Sequence, residues 1–244
     1  MRKILILLLF GCFCFSEEII LDREITEKKI EELEKIKEET KDPEILKKIY
    51  PVLIEKYDKQ AEYGKKHRSM KEYAEILYPE KEKQAEYLKN EADKLREQGE
   101  IGETIMIYRS LMEEYPEAEN ILDFYFLLSE IFEKEGDVDR AAKVLISLSS
   151  KYQQNKISCK AWFEAAKKLR FIKKYKEAIE CLETLIKEYP YSQEAENALF
   201  ALGYYYKEIN NDQKAIEKWE IYLQRYPNGE YSEIIKTQMK KERK

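Results

Sequence analysis

The chain has 244 residues and a formal net charge of −5, with 38 % charged and 43 % hydrophobic residues. Only 7 Gly and 6 Pro are present, which excludes collagen-like, linker-like and turn-rich all-β architectures. A single histidine, His67, leaves catalytic triads and His-based metal sites almost without material. Glu, Lys, Leu and Ile dominate, so the composition predicts an all-helical protein and no enzyme.

Met1-Arg2-Lys3 is a short positive stretch, Ile4 to Phe10 is an unbroken apolar run, and the chain turns polar at Glu17. A membrane-spanning helix needs about 20 apolar residues, so residues 1–16 are predicted to be a secretory signal. Two processing routes stay open. Leu9-Phe10-Gly11-Cys12 resembles a bacterial lipobox, which implies a signal ending at Gly11 and lipidation of Cys12. Ordinary cleavage after Ser16 would instead use Cys14 and Ser16 as the small residues. The first route is preferred, and both predict an exported protein. Loss of Arg2 and Lys3 makes the remainder more acidic, with signs interleaved, so no nucleic-acid partner is expected.

Residues 17–42 are predicted to form a charged helical tether whose only late apolar cluster is Ile30, Leu33 and Ile36. They span about one heptad, too few for a coiled coil. Asp42-Pro43 is a helix start, a capping residue followed by proline at the first helical position. From it, residues 43–84 read as a degenerate hairpin. Ile45, Ile49, Val52, Leu53 and Tyr57 form its apolar face, Gly64 its turn, and Ile76 to Pro79 its close.

An internal period dominates the remainder of the chain. Tyrosine recurs at 78, 115, 152, 189 and 226, always 37 residues apart, and Pro79, Pro116, Pro190 and Pro227 follow four of them. Numbering each period so that this tyrosine is position 31 gives repeats at 85–121, 122–158, 159–195 and 196–230. Position 8 is then small (Ala92, Ser129, Ala166, Gly203), as is position 20 (Thr104, Ala141, Ala178, Ala215). Position 4 holds Leu88, Tyr125, Trp162 and Leu199, and position 24 holds Tyr108, Leu145, Leu182 and Trp219. Positions 4, 8 and 11 share one helical stripe, and positions 20, 24 and 27 another. Each repeat is therefore a helical hairpin whose axes come closest at positions 8 and 20. Its turn lies near position 15, where Gly99 and Gly136 suit a left-handed residue. Tyr-Pro ends the second helix. Hairpins of this kind bury their apolar faces only by stacking. Residues 231–244 are predicted to be a capping helix with a basic tail.

Leu199-x2-Leu202-Gly203-x2-Tyr206, followed by Ala215-x3-Trp219 and Pro227, resembles the tetratricopeptide repeat. The family's usual period is 34 residues, three fewer than here. The resemblance implies a right-handed α-solenoid whose first helices line a concave groove. Tyr189-Pro190-Tyr191-Ser192, with Ala195 and Ala198, is similar to bacterial envelope versions. These include outer-membrane assembly lipoproteins of the BamD type and periplasmic Tol-Pal coordinators of the YbgF type. The lack of a preceding coiled coil fits the former better.

If position 4 points into the hairpin, positions 2, 5, 9 and 12 fall on an arc to its side. Position 5 reads Lys89, Phe126, Phe163 and Phe200, with Glu130, Lys167, Arg170, Tyr204 and Lys207 around them. Such a ladder, charged at its flanks, suits an extended or helical peptide. It equally suits core packing between adjacent first helices. Asp93 at position 9 after Lys89 departs from the carboxylate clamp of some family members. Cys159 and Cys181 read as small buried fillers without a disulfide, and His67, between Lys66 and Arg68, as a solvated surface residue. No cofactor, metal or small-molecule substrate is expected. The reading is an envelope scaffold that binds peptides or proteins, with an outer-membrane lipid anchor through Cys12. Its alternatives are a soluble periplasmic adaptor or an accessory repeat subunit of an envelope enzyme.

Overall fold

Position 15 turns left-handed in every one of the four repeats. The computed structural model describes residues 24–118 and 120–242, and among them Gly99 (φ 84°), Gly136 (φ 81°), Lys173 (φ 62°) and Asn210 (φ 57°) all occupy that position. Glycine adopts this conformation without a Cβ penalty, whereas Lys173 and Asn210 are held there by the helices they join.

The described residues form α-helices and no strand. In chain order these are α1 (Ile30–Glu39), α2 (Pro43–Lys59), α3 (Tyr63–Leu77), α4 (Lys81–Gln98), α5 (Ile101–Glu114) and α6 (Ile121–Lys134). They continue as α7 (Val138–Lys151), α8 (Ile157–Phe171), α9 (Tyr175–Glu188), α10 (Gln193–Glu208), α11 (Asp212–Arg225) and α12 (Ser232–Glu242). Contacts divide the chain into two compact units after Ala118. The N-terminal unit stacks α1 on the hairpin α2–α3, and that hairpin on α4–α5. In the C-terminal unit the hairpins α6–α7, α8–α9 and α10–α11 stack in order, with α12 packed on α11. The predicted block 85–230 is thus shared, one hairpin in the first unit and three in the second.

Every residue at positions 4, 8, 11, 20, 24 and 27 of these four hairpins is buried. Ser129 shows how close the helices come, since its Oγ donates to the carbonyl of Ala141 at 3.0 Å. Each second helix ends at the repeating tyrosine. Its backbone N–H closes the last turn on the residue four before it: Tyr115 on Leu111 (3.0 Å), Tyr152 on Leu148 (2.9 Å), Tyr189 on Leu185 (2.8 Å) and Tyr226 on Tyr222 (2.8 Å). The start at Asp42 is as its sequence predicts, with the carboxylate accepting from the Glu44 N–H at 3.0 Å.

Two expectations for the N-terminal unit are corrected. The predicted turn at Gly64 lies inside α3, and the chain reverses at Gln60–Glu62, where Ala61 takes the left-handed conformation (φ 56°). Residues 30–39 are no free tether. Ile25, Ile30 and Leu33 are buried against Ile49, Leu53 and Tyr57 of α2, and the Tyr57 hydroxyl donates to Glu34 at 2.5 Å. Three apolar residues suffice because charged neighbours add cross-helix bonds, as Lys37 does to Glu72 at 2.9 Å. The signal segment and Cys12 lie outside the described residues.

Packing between the two helices of the last hairpin demands glycine at position 203. A Cβ there would lie 1.9 Å from Nε1 of Trp219, the largest residue at any position 24. The indole in turn donates to the carbonyl of Phe200 at 3.3 Å. Gly203→Ala gains roughly 1 kcal/mol of helix propensity but overpacks this contact, at a cost of about 1–3 kcal/mol. Its midpoint in urea is expected to fall. Trp219→Leu, the residue that faces Ser129 and Ala166 in the neighbouring repeats, should remove most of that penalty in a double-mutant cycle. Simple additivity of the two substitutions would refute the contact.

Candidate functional site

The first helices of the C-terminal unit, α6, α8 and α10, carry the predicted ladder. All three rings, Phe126, Phe163 and Phe200, are half-buried. They are neither sealed in the core nor bare. Two are covered by cations: the Lys160 ammonium lies 5.6 Å from the centre of the Phe126 ring, and that of Lys167 lies 5.9 Å from Phe163. Arg170 stands likewise 5.7 Å from the ring of buried Tyr205. A ring quadrupole holds a cation by its face without neutralising it. Lys160, Lys167 and Arg170 are all exposed, spaced seven and three residues apart on one side of α8. Glu130 is exposed on α6, and Lys167 shares its charge with Glu164 at 3.0 Å.

Phe200 differs. Tyr231 stacks on it at 4.0 Å and 11°, and Tyr204 meets both Phe200 (5.0 Å) and Trp219 (5.1 Å) edge-on. These rings belong to the cluster that seats Ile235 and Met239 of α12. Phe200 and Tyr204 therefore take part in the packing of the C-terminal cap, in keeping with the core alternative of the two readings of the ladder. Lys207 lies 3.4 Å from Asp212. Lys89 belongs to the other unit, where its ammonium is 2.6 Å from Asp93. Asp93 also accepts from the Tyr108 hydroxyl at 2.6 Å. Burial pushes its carboxyl up, but the bonds from Lys89 and Tyr108 outweigh this and hold it below its usual range.

Sequence reasoning missed Lys160 and Tyr205. The available signal was position 2, since the residue there in one repeat reaches position 5 of the repeat before it. It also missed that Lys66 is buried. Its ammonium lies 2.5 Å from Asp58 of α2 and 2.7 Å from Glu103 of α5, with both Lys66 and Glu103 enclosed. His67 is corrected too. It is half-buried, Nδ1 is enclosed without a hydrogen-bond partner, and burial, then Lys71, pushes its pKa down.

Cys159 and Cys181 are buried and unbridged. Burial, then the neighbouring Glu180, pushes the Cys181 thiol up to about 12. Burial and a hydrogen bond to Glu194 also raise Cys159. Both are packing residues. Among the described residues no group of His, Cys, Asp or Glu is arranged to hold a metal, and no helix is long and apolar enough to cross a membrane.

A family model described as a tetratricopeptide repeat matches residues 160–192 and 197–229. These segments coincide with the hairpins α8–α9 and α10–α11, so the chain carries tetratricopeptide repeats there. No curated protein sequence matches the chain. Among solved structures it is similar to MamA, with 22 % identity, 56 % of this chain and 74 % of that one covered, and a TM-score of 0.39. It is similar also to a tetratricopeptide repeat protein from Parabacteroides merdae ATCC 43184, with 16 % identity, 62 % and 57 % covered, and a TM-score of 0.46. BtubC from P. vanneervenii is 15 % identical, with 90 % and 92 % covered and a TM-score of 0.43. The chain thus spans little more than half of the Parabacteroides protein.

The Lys66 triad allows a stability test. Lys66→Met strands a buried Glu103 charge, while Asp58, half exposed, stays solvated. A loss of about 3–5 kcal/mol is expected in denaturant unfolding. Lys66→Met with Glu103→Leu should recover to within about 1 kcal/mol of the parent. Equal losses in the single and double variants would contradict a buried charge pair.

Proposed function

We propose that this chain is an exported, non-catalytic scaffold that holds a protein or peptide partner on the first-helix face of its C-terminal unit. Tetratricopeptide hairpins support the general role, protein–protein interaction. The observation that carries the choice of face is the pair of half-buried rings, Phe126 and Phe163, overlaid by exposed cations. Rings in that state give apolar area to a partner on contact, and the cations above them orient it.

Export rests on the positive, apolar and polar succession at the N-terminus, and membrane attachment on Cys12 of the lipobox-like stretch. A lipid on Cys12 would tether the repeats beside the outer membrane, as a part in assembling its proteins requires. The intact mass of the mature chain, beside that of Cys12→Ala, tests this. A diacyl or triacyl increment lost in the variant is expected, and an unmodified chain beginning at Glu17 would rule out the anchor.

The face is tested by Phe126→Ala with Phe163→Ala, leaving Phe200 in its cap. Each ring is only half-buried, so each truncation should cost about 1 kcal/mol, below the ~3–5 kcal/mol of a core phenylalanine. Immobilised parent and variant are compared for the proteins they retain from an extract of the native cells. The variant should keep parental helicity and lose the retained partner. If it melts close to the parent and still retains the same partner, the face is not the site.

A further inference from the structure

The first-helix face of the C-terminal unit carries a charge pattern beyond its two rings. Helices α6 and α8 lie side by side and run in the same direction. Lys160 reaches the ring of Phe126 (5.6 Å) in their first halves, and Lys168 reaches Glu133 (2.5 Å) in their second halves. Equivalent residues of the two repeats are therefore neighbours. Phe126 stands beside Phe163, and the residues three before and four after each ring share its outward arc.

Those flanking residues reverse sign from one helix to the next. On α6 they are Asp123 and Glu130, on α8 Lys160 and Lys167, and all four are exposed. On α10 the same positions hold Asn197 and Tyr204, which are uncharged and engaged by Tyr231 and Phe200 of the cap. The other charges leave the reversal in place. Glu133 is held by Lys168, Glu164 shares Lys167 at 3.0 Å, and Arg170 adds a cation over Tyr205. Lys134, in the last turn of α6, lies beyond the ring and its two flanking carboxylates. Among the described residues neither Asp123 nor Glu130 meets a cation, while Lys160 and Arg170 meet rings instead of carboxylates.

Spacing selects the form of the occupant. Packed helices lie about 8–10 Å apart, and rings at equivalent positions share that spacing. Residues seven apart on one face of an α-helix are about 10.5 Å apart. Same-face residues of an extended chain are about 6.6 or 13 Å apart, and neither fits. A helix laid across α6 and α8 can thus seat an apolar side chain on each ring at once.

We propose that this face takes an amphipathic helix of opposed polarity, with apolar anchors seven residues apart, basic residues beside the anchor on Phe126 and acidic residues beside the anchor on Phe163. The proposal rests on the first-helix face being the partner site, and adds the sign and spacing of what it takes. Basic residues meet Asp123 and Glu130, and acidic ones meet Lys160 and Lys167. A helix charged alike throughout is repelled by one of the two.

The probe is a fluorescein-labelled, alanine-based helical peptide with Leu at positions 6 and 13. Glu stands on either side of the first Leu and Lys on either side of the second, the order that suits the helix dipole. One control carries Glu at all four places, the other Lys. In anisotropy titrations with the untagged full chain the bipolar peptide should bind at least tenfold tighter than either control. Asp123→Lys with Glu130→Lys changes two exposed positions and should make the all-Glu peptide the tightest. Lys160→Glu with Lys167→Glu should instead favour the all-Lys peptide. A merely structural role for these side chains would weaken all three peptides alike. Phe126→Ala with Phe163→Ala should abolish binding of the bipolar peptide. Equal binding of the three peptides, no binding, parental preference in both charge-reversed chains, or parental affinity in the ring variant would each overturn the inference. Such a failure leaves the face standing if the ring variant still loses its partner from cell extract, whereas retention of that partner removes the face and the inference with it.

Discussion

The distance between position 8 of a first helix and position 20 of its partner governs the rest of each hairpin. In the hairpin α6–α7 the side chain of Ser129 touches the backbone of Ala141 directly. A residue larger than serine at position 8 would wedge the helices apart and uncover the large residues at 4, 11, 24 and 27, all of which are buried. The available volume is shared between positions 8 and 24. Leu145 and Leu182 leave room for Ser129 and Ala166, whereas Trp219 takes that room and leaves only Gly203. Tyr108 solves the same problem by extending its hydroxyl past the contact to Asp93. Packing density at one level therefore fixes residue choice at two sequence positions sixteen apart.

The period was legible because this contact recurs, and burial at six columns follows from it. The turn was only half legible. Gly99 and Gly136 announce a left-handed residue, but Lys173 and Asn210 adopt the same conformation under the constraint of the helices on either side. Sequence pattern cannot distinguish such an imposed left-handed residue from an ordinary helical one. Gly64 misled for the converse reason: it lies in the first turn of α3, with open space beside it, rather than turning the chain. The segment 30–39 was read as a tether because three apolar residues look too few. The bonds that Glu34 and Lys37 make to α2 and α3 are invisible until the helices are side by side.

The candidate site was legible in register and not in cover. Spacing places Phe126, Phe163 and Phe200 on one arc, and Lys167 over Phe163 on the same helix, yet what lies over Phe126 and Phe200 comes from elsewhere in the chain. Lys160 belongs to the following repeat, and Tyr231 to the segment before α12. Those covers separate two half-buried rings under cations from a third stacked under a tyrosine. The run Lys65-Lys66-His67-Arg68 shows the same limit at shorter range. Read as letters it is a solvated charge cluster. Wound at 100° per residue it turns Lys65 and Arg68 outward and carries Lys66 and His67 toward α5. Asp58 and Glu103, partners on two other helices, make the burial of the lysine tolerable.

Charge on this protein acts locally. The chain is acidic as a whole, yet residues 156–176 carry eight Lys or Arg and a single Glu. Some of these cations are neutralised by the neighbouring hairpin, as Lys168 is by Glu133 at 2.5 Å and Lys174 by Asp139 at 2.6 Å. Lys160 and Arg170 instead rest on aromatic faces. A cation over a ring keeps its full charge, and its stem is ordered by the same contact that the ring makes with the core. At physiological salt, interactions beyond about 8 Å are largely screened. A partner approaching α8 therefore meets its positive stripe and not the net charge of the chain. An acidic net balance is thus compatible with a locally positive surface along α8, because net charge and local charge act over different distances.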